Sequence, residues 1–249
     1  MAKQKSLKEI SASIAQSMTK NLNYQAALEH IDSVELGIQE IDDDFYYALI
    51  LRQEHNPEGN YLKLTLKIEE AIRFASLVHK GQTRKGKHTP YITHPLNVAE
   101  LLATVTSVED IIISGILHDT IEDCMPYKSV TEKTIEKLFN KDIARIVNDV
   151  TEQDKTLPWV ERKQMALEHI THLKQDALLV KSADVLHNMK DLLTDLEKDG
   201  VSVFAKFNAP REAQLERFKK LENALEKSWS NNPLLSEIKS TLLKIQEFV

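Results

Sequence analysis

Apolar residues recur every three or four positions along most of this chain, and strict alternation is scarce. That is the periodicity of helices packed on one face. It predicts helices over 5–18, 22–38 and 42–54, ending at HNPEGN. The next covers 62–78, with Ile68, Ala71, Ile72, Ala75 and Val78 on one side. A basic stretch, HKGQTRKGKHTPYITHP, then breaks the pattern. Pro95 falls in the first turn of a helix over 94–104, where its missing N–H costs nothing. Ser107 and Asp110 have the spacing of a capping box for a helix over 108–122. Further helices fit 131–139, 141–151, 159–172 and 176–198, and SNNP separates two amphipathic helices within 207–249. Only six glycines and seven prolines punctuate the chain, so little of it is left for turns. The expected fold is an all-α bundle. Residues 1–60 read as a helical N-terminal extension, 61–200 as the central unit, and 201–249 as helices packing on the core or on a partner.

A length of 249 residues supports one domain with extensions. The formal net charge of −6 argues against a general nucleic-acid binder, although a local basic patch can still hold phosphates. The lone cysteine, Cys124, rules out an internal disulfide, and with no CxxC a thiolate zinc site is disfavoured. Cys124 itself reads as a small space-filler. There is no apolar run of 18 residues and no apolar leader near the start, so the expectation is a cytoplasmic protein without a membrane span.

Three polar clusters interrupt otherwise core-forming segments. LHDTIED follows the apolar run VEDIIISGI. On a helix, His118 and Glu122 are four apart, as are Asp119 and Asp123, so the two pairs occupy adjoining faces. A charged turn next to a core needs partners or a metal; the plainer reading is a solvated helix end. In DALLVKSADVLHNMKDLL, Lys181, Asp184, Asn188 and Asp191 form a polar seam at spacings of three and four. In the basic stretch, Lys80, Arg84, Lys85 and Lys87 precede His94 with no acid between. That loop is either solvated or an anion site, since arginine forks onto phosphate or stacks on a base and lysine supplies a point charge. Two histidines and two aspartates make a mixed nitrogen and oxygen shell suited to Mn²⁺, Fe²⁺ or Zn²⁺. Glu122 and Asp123 lie just beyond the histidine–aspartate pair; spacing leaves open whether they orient a water, accept its proton or hold a second ion.

The segments HKGQTRKGKHTPYITHP, GILHDTIEDC, VTEQDKTLPWVERK and LLVKSADVLHNMKDL resemble, in order and spacing across about 62–195, the metal-dependent HD phosphohydrolases. Within them the match is to the hydrolase domain of the Rel/Spo family, above all its small stand-alone hydrolases of the alarmones guanosine tetra- and pentaphosphate. The resemblance implies an HD-domain helical bundle with metal ligands His94, His118, Asp119 and Asp184 and a water-handling pair, Glu122 and Asp123. It implies nucleotide contacts from Arg84, Lys85 and Asn188, with Lys155 and Lys181 as further phosphate contacts or local charge balance. His79 belongs to the motif as a structural residue. The cofactor implied is Mn²⁺, with Zn²⁺ or Fe²⁺ as alternatives, and the partner is a small nucleotide. Two departures stand out: KGKHTPY puts a lysine and a histidine where the family has an acidic step, and Asp191 stands where the large bifunctional enzymes carry threonine. The expected activity is removal of the 3′-pyrophosphate of a guanosine alarmone. The alternatives are a phosphatase acting on another ribose-phosphorylated nucleotide such as NADPH, and a non-catalytic nucleotide sensor. The oligomeric state, including a homo-oligomer, is left open.

Overall fold

The computed structural model describes residues 62–122, 130–152, 157–207 and 210–248. The helices expected over 5–18, 22–38 and 42–54 lie outside the described residues, as do Asp123, Cys124 and Lys155. Among the described residues the architecture is helical, with one isolated antiparallel bridge, Thr83 to Pro90, and no strand. The all-α expectation is borne out. The helices are α1 (Leu66–Val78), α2 (Thr93–Ala103), α3 (Glu109–Leu117), α4 (Glu132–Leu138), α5 (Lys141–Val150), α6 (Trp159–Ile170), α7 (Gln175–Asp199), α8 (Arg211–Ser228) and α9 (Leu235–Glu247). A short 3₁₀ run, Gly200–Lys206, follows α7. Within the described residues, no helix is long and apolar enough to cross a membrane.

Local chemistry sets the helix starts. Thr65 accepts the Ile68 amide at 3.3 Å, so α1 begins at Leu66 rather than at 62. Thr131 and Thr134 form a reciprocal capping box on α4, and Asn140 accepts the Ile143 amide at 2.8 Å to open α5. Gly200, at φ +64, ends α7 in a conformation that disfavours any residue with a Cβ.

The helix expected over 108–122 needs correction at both ends. It starts without a side-chain cap, and the anticipated Ser107–Asp110 box is absent. Thr106 Oγ1 instead accepts the Val108 amide at 3.1 Å, and Asp110 Oδ2 is taken by Asn140 Nδ2 at 3.0 Å. The helix stops at Leu117 because side chains claim the carbonyls that its continuation would use. His118 Nδ1 bonds to Gly115 O at 2.8 Å, and the Thr120 hydroxyl donates to Leu117 O at 2.6 Å. His118, Asp119 and Glu122 therefore sit on tight turns rather than on shared helix faces.

The long helix α7 is the pillar. Its buried residues, among them Leu178, Val180, Ala183, Val185, Leu186, Met189 and Leu192, meet α2, α3, α5, α8 and α9. The first helix packs on α3, and α4 on α5. Asn232, from the SNNP turn, is buried and donates to Ser182 Oγ at 2.7 Å, tying the α8–α9 connection to the pillar. The helices α2 and α3 approach closely at a glycine. A Cβ on Gly115 would lie 2.4 Å from Leu102 Cδ1, and Leu102 is itself fully buried. Gly115 thus lets α3 approach α2 and sets the height of His118. Gly115→Val should destabilise the fold by about 1–3 kcal/mol through overpacking. Leu102→Ala in the same chain should recover part of that loss, as read from urea midpoints.

Candidate metal centre

Three elements deliver the donors. The first turn of α2 carries His94, the turn after α3 carries His118 and Asp119, and the middle of α7 carries Asp184. Donor atoms of His94, His118 and Asp184 lie within 4.8 Å of one another. Asp119 joins from the side, its Oδ2 3.1 Å from His118 Nε2 and 3.6 Å from His94 Nε2. Asp184 Oδ1 is 3.3 Å from His94 Nε2 and 3.9 Å from His118 Nε2. All four residues proposed from the sequence are thus brought together.

The hydrogen bonds around the cluster aim its donors inward. With Nδ1 of His118 donating to Gly115 O, Nε2 points into the cluster. That nitrogen is buried and makes no well-aligned hydrogen bond, its nearest acid oxygen being Asp119 Oδ2 at 3.1 Å. A buried ring nitrogen without an aligned hydrogen bond is costly, and coordination to a cation removes the cost. His94 Nδ1 meets His187 Nδ1 at 2.7 Å, which leaves His94 Nε2 facing Asp184. Burial, then the neighbouring charges of His94 and Arg84, pushes His187 down to about 3, so its ring is neutral. The Tyr91 hydroxyl donates to Asp119 Oδ2 at 2.7 Å. Asn188 Nδ2 donates to Asp184 Oδ1 at 2.6 Å, and Lys181 Nζ to Asp184 Oδ2 at 2.9 Å. Such partners orient the donors; a ring N–H given away raises the basicity of an imidazole, whereas the donors on Asp119 and Asp184 hold those carboxylates ionised.

Electrostatics match a bound cation. Burial opposes the charge on Asp184, yet Lys181 and His94 hold its carboxyl well below the ordinary range. Burial likewise opposes the Lys181 ammonium, and Asp184 and Glu122 push it up instead. Burial lowers His94, whereas His118 is raised to about 9 against its burial by Asp119 and Asp184. The two imidazoles split because the acids support one buried positive charge there. A divalent cation competes with that proton. The nitrogen and oxygen donor set therefore fits a metal ion.

A cavity of about 530 Å³ opens beside the cluster. Its cations are Arg84, Lys85, Lys87, Lys163, Lys206 and Arg217, against two acids, Asp191 and Asp195. Tyr91 and Asn188 line it as well, so the groups that hold Asp119 and Asp184 also face the cavity. Arg84 Nη2 donates to Asn188 Oδ1 at 2.9 Å, and its guanidinium lies 5.7 Å from the Tyr91 ring centroid. Lys85 Nζ lies 6.0 Å from the Phe207 ring centroid. Glu122 Oε2 accepts the Glu152 amide at 3.0 Å, and its charge acts on Lys163, Lys181 and Arg217. His79 bonds Gln82 at 2.7 Å through Nδ1 and packs on Tyr91 at 4.8 Å between ring centroids.

Sequence reasoning missed His187, Tyr91, Lys163 and Arg217. His187 was legible, since it lies three residues beyond Asp184 on the polar seam. Arg217 was not: it stands in the charged run REAQLERFKKLENALEKS, where nothing separates an inward cation from solvated ones.

Buried imidazoles and flanking carboxylates beside a cationic cavity, on an all-α frame, are the arrangement a metal-dependent phosphohydrolase requires. Comparison with known proteins makes the class specific. The family model described as HD domain matches residues 71–215, and the chain belongs to that family. It is 45% identical over 128 residues to the guanosine-3′,5′-bis(diphosphate) 3′-pyrophosphohydrolase MESH1 of Xenopus tropicalis, covering 50% of this chain and 69% of that one. It is 36% identical over 148 residues to the bifunctional (p)ppGpp synthase/hydrolase SpoT of Escherichia coli K12, covering 57% of this chain and 20% of that one. A solved structure, of a metazoan ortholog of SpoT that hydrolyses ppGpp and plays a role in starvation responses, superposes with a TM-score of 0.61. It shares 27% identity and covers 76% of this chain and 99% of its own. The Rel/Spo-type resemblance read from the four motifs is borne out.

Asp184→Asn keeps one carbonyl acceptor, for Lys181 or for Asn188 but not for both, and removes the anionic donor. Purified Asp184→Asn protein should carry less than about a tenth of the wild-type metal, in line with the 10–100-fold effects seen for disturbed metal shells. Its far-UV circular dichroism should be unchanged. Elemental analysis alongside the spectrum checks both halves.

Proposed function

We propose that the chain hydrolyses the 3′-pyrophosphate of guanosine tetra- and pentaphosphate, giving GDP or GTP and pyrophosphate. The observation that carries this reading is the cavity, with six cations against two acids in a chain of formal net charge −6, coupled through Asn188 and Tyr91 to the buried donors. A ligand phosphorylated at both ends of its ribose matches that charge. The names of the similar proteins from Xenopus tropicalis and Escherichia coli support the same substrate class.

His94, His118, Asp119 and Asp184 would hold the divalent cation; the nitrogen and oxygen donors suit Mn²⁺, Fe²⁺ or Zn²⁺, and the family resemblance makes Mn²⁺ our assignment. Such an ion, when bound, polarises a phosphoryl oxygen and lowers the pKa of a water. Glu122 is assigned the water's proton, and Asp123, outside the described residues, shares that role through the resemblance. Water attacks the phosphorus next to the ribose; the new O–P bond forms as the bond to the 3′ oxygen breaks, and the proton taken from the water balances the one that oxygen gains as it becomes the 3′ hydroxyl. Arg84 and Lys85 hold the nucleotide, with Arg84 kept in place by Asn188. Lys181 stays on Asp184 as charge balance, which favours that half of its double assignment. Lys155, also outside the described residues, keeps its phosphate-contact assignment from the resemblance alone. We assign the hydrolase unit to 61–200, completed by Arg217 from the segment 201–249.

A product screen over guanosine tetraphosphate, guanosine pentaphosphate and NADPH, with Mn²⁺ and after chelation, tests the reading. Pyrophosphate should appear from the guanosine nucleotides and cease on chelation. Orthophosphate from NADPH alone would replace the substrate assignment, and nucleotide binding without any product would replace the enzyme by a sensor. Glu122→Gln should retain its metal and lose turnover by about 10²–10⁴-fold, the usual worth of general acid–base assistance.

A further inference from the structure

One wall of the cavity is a ladder of alternating charge. Arg84 Nη2 donates to Asp191 Oδ2 at 3.0 Å. The other oxygen of Asp191 takes Lys87 Nζ at 2.5 Å. Lys87 Nζ is also 2.7 Å from Asp195 Oδ1, and the second oxygen of Asp195 takes Lys206. The rungs come from three separate elements: the basic loop, α7, and the 3₁₀ run after it. Backbone geometry locks the same joint. Gly86 sits at φ +71, and a Cβ there would meet Lys206 Cδ at 2.9 Å. All five side chains are between 14% and 27% exposed, so solvent screens them only in part. Burial opposes the charge on Asp191, yet Lys87 and Arg84 hold its carboxyl below the ordinary range.

The ladder decides how much of Arg84 is left for a ligand. Both side-chain hydrogen bonds of Arg84 leave from one nitrogen, Nη2, one to Asn188 and one to Asp191. Guanidinium and carboxylate prefer a forked, two-bond pairing. Arg84 does not make it here: it reaches Oδ2 of Asp191 alone, while Lys87 sits on Oδ1. Among the described residues Nη1 and Nε of Arg84 make no hydrogen bond, and Arg84 lines the cavity.

We propose that Lys87 is a positioning residue that acts through Asp191. By occupying Oδ1 it keeps Asp191 from chelating Arg84, and so keeps the Arg84 fork open for a phosphate or base of the ligand. Asp195 in turn holds Lys87 at that station, with Lys206 closing the ladder. The inference deepens the functional reading above and rests on Arg84 being a nucleotide contact. It also accounts for two departures noted in the sequence as a pair: the lysine in KGKHTPY and the aspartate at 191 face each other across the joint.

The test is a double-mutant cycle between Lys87 and Asp191, read by the dissociation constant of guanosine tetraphosphate for chelated, non-hydrolysing protein and by steady-state kinetics with Mn²⁺. Lys87→Met alone should weaken binding about tenfold, the scale of coupling within one ion network. KM should rise with kcat nearly unchanged, and Lys87→Arg should restore both. In the Asp191→Asn background, which has no carboxylate to chelate Arg84, Lys87→Met should change binding less than about twofold. An equal loss in both backgrounds would overturn the proposal, because it would make Lys87 a direct ligand contact. A crystal structure of Lys87→Met, without nucleotide, supplies an arm independent of the reaction: Arg84 should pair with both oxygens of Asp191. Arg84 still held by one oxygen would sink the inference even if turnover proceeds as proposed. Wild-type protein that fails to bind guanosine tetraphosphate would instead remove the functional reading and this inference with it.

Discussion

A largely buried carboxylate in the middle of a core-forming helix is the constraint on which the rest of the structure depends. Asp184 sits on α7 among residues that pack against five other helices. A lone charge there would be prohibitive, and breaking a buried pair typically costs about 3–5 kcal/mol. Lys181 one turn earlier, Asn188 one turn later and His94 from α2 together offset that cost. The helix therefore carries one polar seam through an apolar face, and the neighbouring elements must bring complementary groups to it. The packing of α2 and α3 on α7 is the means: it brings two imidazoles to one carboxylate.

The same seam joins recognition to chemistry. Asn188 donates to Asp184 and accepts from Arg84, so one amide touches both a candidate metal ligand and a candidate nucleotide contact. Tyr91 repeats the arrangement on the other side, bonding Asp119 while lying beneath Arg84. Moving the basic loop would thus disturb the donors, and losing a donor would disturb the loop. The ion ladder from Arg84 to Lys206 gives that loop its second anchorage, at the far end of the cavity. Rigidity here has a physical use. Binding energy is not spent on ordering long cationic side chains that are already held.

The stop of α3 at Leu117 shows how local and tertiary effects combine. The residues beyond it could continue a helix, and periodicity alone predicts that they do. Side-chain bonds from His118 and Thr120 capture the carbonyls of Gly115 and Leu117 and turn the chain. The turn redirects His118 and Asp119 toward Asp184, so the break in the helix is what assembles the cluster. Gly115 contributes twice, by admitting Leu102 beside it and by lending its carbonyl to His118.

The sequence by itself determined the helical class, most helix positions and the donor types. Each follows from near-neighbour physics: apolar period, capping chemistry, and the improbability of a seam such as Lys181–Asp184–Asn188–Asp191 arising without a partner. The four motif segments became legible as one site through their resemblance, in order and spacing, to one family. Tertiary structure alone decided which charges face one another. The inward turn of Arg217 from the α8 helix, the pairing of Lys87 with Asp191 and Asp195, and the contact of His187 with His94 each join residues far apart in the chain. A charged residue on an amphipathic helix has the same local signature whether water or a buried acid receives it. Only the packing of the elements, which sets that partner and its distance, tells the two apart.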